Sequence, residues 1–404
     1  MERETREDRY WNCEANPDTG VKLEHFKRYM KAWSDENCDV DALIVSDYGQ
    51  RLGYLQDLAY RWKDPMDPEL LKWYADQGIK KEMFEMEHYY TRWVLLTPLS
   101  MDRNKKYPLI FVNHGGGNSL ESEEFSTGFN IMVNREQFIA AYLQNTNTDN
   151  LLRIRKLLID TYPVDTERIY VTGFSQGGGK TSDCAFRAPE LFAAHAPCGN
   201  DIFRYVDRWS VPYTAQEVNH LKEVFLPFMQ VVGCNEHSHI LPLNDWIPAG
   251  KQKERIEGDI HEYPVKTDEI DPTRPSDPNH PGGHIEPPLG TDKGVWMIQQ
   301  LNNRLELLDI EPRQLEKCLA FKEHPEDELH HVMGFYGDRE RIQTFYGYKH
   351  YTVDIWNRHG VNAFRYVAVE NSPHWPPVMM GSMSWEFFKR FRRDKCTGQI
   401  VEDW

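Results

Sequence analysis

The apolar run Arg168-Ile169-Tyr170-Val171-Thr172 passes without a break into Gly173-Phe174-Ser175-Gln176-Gly177, and a helix-compatible stretch from Gly177 to Arg187 follows at once. This order predicts a strand, a tight turn and a helix in direct succession. A G-x-S-x-G turn in that setting thrusts its serine hydroxyl out above a sheet, in a backbone conformation that bulky neighbours would not permit. The glycines after the serine let the helix lie close to the strand. A chain carrying this unit has little choice but to build the rest of its fold around a sheet with crossover helices.

The segments on either side agree. Trp93–Pro98, Tyr107–Asn113 and Phe138–Leu143 are short apolar runs bounded by turn residues, which suits buried strands. Leu151, Leu152, Ile154, Leu157, Leu158 and Ile159 recur with helical spacing, Glu217–Val224 reads as another helix, and Leu226–Val232 as another strand. Strands alternating with helices predict an α/β fold with a doubly wound, mostly parallel sheet. Residues 1–85 read instead as a helical N-terminal extension, from the steps of Leu23, Phe26, Tyr29, Met30 and Trp33 and of Leu70, Leu71, Trp73 and Tyr74. That extension is expected to act as a cap or as a contact between copies of the chain in a homo-oligomer. The catalytic domain then spans 86–404. Residues 237–335 form a long insertion before the last helix–strand unit, and its Pro- and Asp-rich centre, 264–288, suits a lid or binding loop. The unit after it is a helix over 341–358, a strand over 364–369, a loop with His374 and a closing helix over 384–391.

Composition narrows the partners. A formal net charge of −16 over 404 residues argues against nucleic acid and anionic membrane surfaces, both of which need a basic face. Seven scattered cysteines without a C-x-x-C pair suit reduced thiols, and the charged, non-apolar start of the chain is no secretory signal, so the expected location is cytoplasmic. No run approaches the ~20 apolar residues of a membrane span.

Acyl transfer by a serine needs a base, an acid to orient the base, and donors for the oxyanion. Ser175 is the candidate nucleophile. His114-Gly115-Gly116-Gly117 ends an early strand and suits an oxyanion loop, with Gly116 the first choice of donor, Gly117 next, and the N–H of Gln176 the second donor. His374 lies in a short loop after the last strand, where the order nucleophile, acid, histidine puts the base; His350 and His359 fall in or at the end of the predicted 341–358 helix and are poorer candidates. Glu236, three residues past Gly233, is the favoured acid, with Asp338 and Asp245 as rivals. His237, His239, His280 and His284 match no zinc spacing, and Gly177-Gly178-Gly179-Lys180-Thr181 lacks the first glycine of a phosphate loop. No metal or organic cofactor is expected.

The stretch Tyr162–Gly178, together with Pro189–Ala194, Pro108–Gly115 and the His374-Trp375 pair, resembles the signature of polyhydroxybutyrate-depolymerase-like and feruloyl-esterase-like members of the α/β-hydrolase superfamily. The resemblance covers about 90–235 and 340–393. It implies an α/β-hydrolase fold and a serine esterase with a triad of Ser175, Glu236 and His374. Family members often use aspartate as the acid and are often secreted, whereas this chain offers a glutamate, an N-terminal extension and an insertion. Its expected substrate is a small aryl, acyl or sugar-linked ester rather than an insoluble polymer. The competing expectations are a serine peptidase of the prolyl-oligopeptidase type and a non-catalytic binding protein on the same fold.

Overall fold

A computed structural model of the chain describes residues 65–86, 91–116, 120–144, 146–203, 212–235, 292–345, 348–373, 376 and 380–403. In chain order the first half comprises α1 (Pro68–Asp76), β1 (Ile79–Met86), β2 (Thr91–Pro98), β3 (Tyr107–Asn113), α2 (Leu120–Ser126), α3 (Val133–Glu136), β4 (Ile139–Gln144), α4 (Thr148–Thr161), β5 (Val164–Phe174) and α5 (Gln176–Arg187). The second half comprises β6 (Ala194–Cys198), α6 (Ala215–Val224), β7 (Phe228–Asn235), α7 (Lys293–Leu307), α8 (Leu315–Ala320), α9 (Glu328–Met333), β8 (Arg339–Phe345), β9 (Tyr348–Trp356), β10 (Asn362–Pro373) and α10 (Met380–Phe388). A small hairpin of β11 (Phe391–Arg393) and β12 (Ile400–Glu402) follows.

Ten strands form one sheet in the order β1-β2-β4-β3-β5-β6-β7-β10-β9-β8. From β4 to β10 every neighbouring pair is parallel; β1 and β2 at one edge, and β9 and β8 at the other, run antiparallel to their neighbours. This is the mostly parallel, doubly wound α/β sheet that the alternation of elements predicts. Its central strands are buried on both faces, which is why they read as unbroken apolar runs: Leu109, Phe111, Ile169 and Val171 point into one layer of core and Ile110, Val112 and Tyr170 into the other.

The chain moves outward from β3 to β4 and then returns past β3 to β5. The loops leaving β3 and β5 therefore diverge, and they leave a crevice at the carboxyl ends of two adjacent strands, the usual place for a ligand in an open α/β sheet. The last residues of the two strands are level, with Asn113 opposite Gly173 in the register.

Three expectations need correction. The stretch 341–358 is not a helix but the hairpin of β8 and β9, in which Tyr351, Val353 and Ile355 alternate with Thr352 and Asp354. That alternation is the strand period, and Asp354, between the apolar residues, finds partners across the sheet in Arg339 and Arg365. The supposed helical extension turns at Gly78, φ +74°, into β1, so the sheet begins at Ile79 rather than after residue 85. Within the supposed insertion, 293–333 supplies three helices whose Met297, Ile298, Leu301, Leu305, Val332 and Met333 join the main core. Residues 1–64 and 236–291, including the 264–288 segment, His237, His239, His280 and His284, lie outside the described residues.

Candidate active site

Ser175 occupies the turn between β5 and α5 at φ 55°, ψ −119°. Positive φ at a residue with a Cβ is strained, and it persists only where the surroundings hold it. Here they do so through three hydrogen bonds to the Ser175 backbone. The Ser175 N–H donates to the Cys198 carbonyl at 3.0 Å and its carbonyl accepts from the Gly179 N–H at 3.1 Å. The same carbonyl accepts from the Asn200 side-chain amide at 2.8 Å. The Ser175 side chain does not cap α5.

The turn closes only because its flanks lack side chains. A Cβ on Gly173 would stand 2.6 Å from the Asn113 carbonyl oxygen and 2.7 Å from the Gly177 backbone, and one on Gly177 would stand 2.1 Å from the same Asn113 oxygen. Both contacts are with backbone, which has little room to yield. Gly177→Ala is accordingly expected to lower the unfolding free energy by about 2 kcal/mol or more, read as a lower urea midpoint at unchanged slope.

The loop expected to serve the oxyanion abuts the elbow at Gly116. A Cβ added to Gly116 would lie 3.7 Å from the Gln176 Cβ, so this glycine abuts the residue after the serine. As the first residue of α5, Gln176 has an N–H with no acceptor inside the helix, at the positive end of the helix dipole. His114 is buried, and its Nδ1 lies 2.7 Å from the Gly115 carbonyl, a geometry in which the ring N–H donates. It shapes the loop and is not placed as a base. Gly117 lies outside the described residues.

β7 ends at Asn235 and β10 at Pro373, and these two residues are register partners on adjacent parallel strands. The residues next in the chain are Glu236 and His374, the expected acid and base. Both lie outside the described residues, as does Asp245. Asp338 is described and is not brought near Ser175. It precedes β8, the strand at the far edge of the sheet, at the end opposite the elbow, and its exposed carboxylate accepts the Trp356 N–H at 2.8 Å. His350 is buried on β9, and His359 is exposed in the turn after it, 3.2 Å from Asp309.

One residue beside the elbow escapes sequence reasoning. Glu123, on α2, is 1 % exposed. Burial pushes its carboxyl up from 4.5 to about 8, against weaker opposing pulls from the Gly115 N–H, the Lys180 charge and the Phe174 N–H. Its carboxyl thus lies against the loop after β3 and the last residue of β5. Folded protein keeps this proton to about pH 8, whereas the unfolded chain loses it near 4.5. The stabilisation is therefore complete below the lower value and is lost as pH rises through the upper one. Glu123→Gln should gain on the wild type by an amount on the order of 4 kcal/mol between pH 4 and pH 9. Urea unfolding at the two pH values measures this, and a parallel loss in both proteins would refute it.

No protein-family model matches the chain, and no curated protein matches it. Solved structures do resemble it. An acetyl xylan esterase from Aspergillus awamori is 11% identical over 77% of this chain and 98% of its own, with a TM-score of 0.42. The feruloyl esterase module from Clostridium thermocellum, as an S954A mutant with sinapinate, is 17% identical over 45% of this chain and 73% of its own, at 0.32. A thermostable esterase is also 17% identical over 45% of this chain, at 0.32, and the match spans about half of its length, 51%.

Proposed function

We propose that this chain is a serine carboxylesterase acting on small aryl, acyl or sugar-linked esters. The observation that carries the proposal is Ser175 held at positive φ at the head of α5, beside Gly116 and Gln176, where the connections of β3 and β5 diverge. Strain of this kind, held by three hydrogen bonds to the Ser175 backbone, clusters at sites where a side chain must be presented, and it supports this reading together with the glycine loop beside it.

His374 takes the Oγ proton as Ser175 attacks the ester carbonyl, and Glu236 orients the imidazole and stabilises its charged form. The N–H groups of Gly116 and Gln176 receive the oxyanion. The tetrahedral intermediate collapses with the proton passing from His374 to the leaving alcohol, and water activated by the same histidine then releases the acid from the acyl-enzyme. Asn235 and Pro373, paired across β7 and β10, are the anchor points from which the acid and the base would reach the serine.

The test is turnover of short-chain p-nitrophenyl, feruloyl and acetylated-sugar esters alongside peptidyl p-nitroanilides, with a fluorophosphonate adduct mapped by peptide mass. Ester cleavage and an adduct on Ser175 are expected. Amide cleavage without ester cleavage would favour a peptidase, and an adduct on any other serine would overturn the assignment.

A further inference from the structure

The two faces of the outer sheet, β8 to β10, differ sharply. One carries Tyr351, Val353, Ile355, Phe364, Tyr366 and Ala368 into the core. The other is built of charge. Arg339 on β8, Asp354 on β9 and Arg365 on β10 are successive register partners, and Arg341 stands opposite Thr352 in the next row of that face. Between this face and α10 lies a cavity of about 780 Å³, whose lining includes these three arginines and, from α10, Ser382 and Met383. That volume is within the range of sites for small organic molecules.

Charge in the cavity does not balance. Asp354 is fully buried and takes all three guanidinium groups: Arg365 at 2.6 Å, Arg341 at 2.6 Å and Arg339 at 3.0 Å. The two carboxylates in the lining have other partners: Glu386 pairs with Lys389, which also lines the cavity, at 2.5 Å, and Asp403 with Arg168 at 2.6 Å and Arg392 at 3.1 Å. Buried Arg390 also lines it and pairs with Glu402. Among the described residues, three arginines thus share one carboxylate around a cavity, in a chain whose formal net charge is −16. Arg365 is nearly buried against Asp354, whereas Arg341 and Arg339 keep 27% and 46% of their side chains exposed and so present their surplus charge to the open volume. Guanidinium groups in surplus beside such a volume are a site for an anion.

We propose that this cavity, separate from the crevice at Ser175, binds a small organic oxyanion with at least two negative charges, of the phosphorylated or polycarboxylated class. Planar guanidinium forks grip phosphate and carboxylate oxygens two at a time. Met229, Val367 and Met383 offer apolar surface to the carbon body of such a ligand.

The test is thermal unfolding and calorimetric titration of the whole chain with pyrophosphate and with citrate, each against sodium chloride at matched ionic strength. Saturable stabilisation by pyrophosphate identifies a phosphoryl ligand and by citrate a polycarboxylate. Arg341→Gln, which leaves two guanidiniums on Asp354, should weaken binding at least ~10-fold. Ser382→Asp, which adds negative charge to the opposite wall without touching the arginines, should do the same and decides the matter if the first variant does not fold. A response no greater than that to sodium chloride, or equal affinity in the wild type and the folded variants, would overturn the proposal. The readout is binding, so failure leaves the esterase proposal standing, and the esterase proposal can fail without touching this one.

Discussion

Ser175→Ala is expected to reduce kcat for a short-chain p-nitrophenyl ester by about 10³-fold or more, to the level left by the oxyanion donors and binding alone, and to abolish fluorophosphonate labelling. The fold should persist. Alanine keeps the Cβ at the strained position, where φ is 55°, and none of the three hydrogen bonds that hold the turn uses the serine hydroxyl. Equal urea midpoints for the two proteins would therefore assign the loss to chemistry. Ser175→Gly supplies an internal control, since it removes the nucleophile and the strain together. It should be as inactive as the alanine variant and more stable than it by about 1 kcal/mol. Full ester turnover in either variant would end the case for Ser175.

Asp354→Ala is expected to be the most damaging of these substitutions to stability, at about 3–5 kcal/mol, because it leaves Arg365, Arg341 and Arg339 facing one another without their shared counter-charge. Arg365 is only 8% exposed and has little access to water as a substitute. Burial raises the pKa of the Asp354 carboxyl, but the bonds and charges of Arg365 and Arg341 outweigh it and hold the group well below the usual aspartate range. A depressed folded value means that this stabilisation is present above the ordinary pKa of 3.8 and fades as pH falls below it. The loss measured for Asp354→Ala should accordingly be full at pH 7 and smaller at pH 3. A deficit that did not change with acid would show that packing, and not charge, keeps the residue in place.

Local pattern carried much of the architecture. The elbow was legible because strand, turn and helix are consecutive and because close approach at Gly173 and Gly177 writes itself into the sequence as glycine. Strands β3, β4, β5 and β7 were legible because burial on both faces leaves continuous apolar runs. The β8–β9 hairpin was not, since Arg339, Arg341 and Asp354 belong to a buried face only through one another; read one at a time, they look like the exposed side of a helix. Asp338 was a reasonable rival for the triad acid by chain order and fails by strand order, since β8 pairs at the far edge of the sheet.

The chain alone determined the class of fold, the strand–turn–helix that presents the candidate nucleophile Ser175 and the glycine loop expected to serve it, because each depends on neighbours a few residues away. Tertiary structure decided what depends on residues far apart: the register that sets Asn113 beside Gly173 and Asn235 beside Pro373, the buried Glu123 with its raised pKa beside the elbow, and the basic cavity under α10. The reason is that burial and Coulomb energies are properties of a surrounding volume, and a sequence names the residues that fill that volume without saying which of them meet.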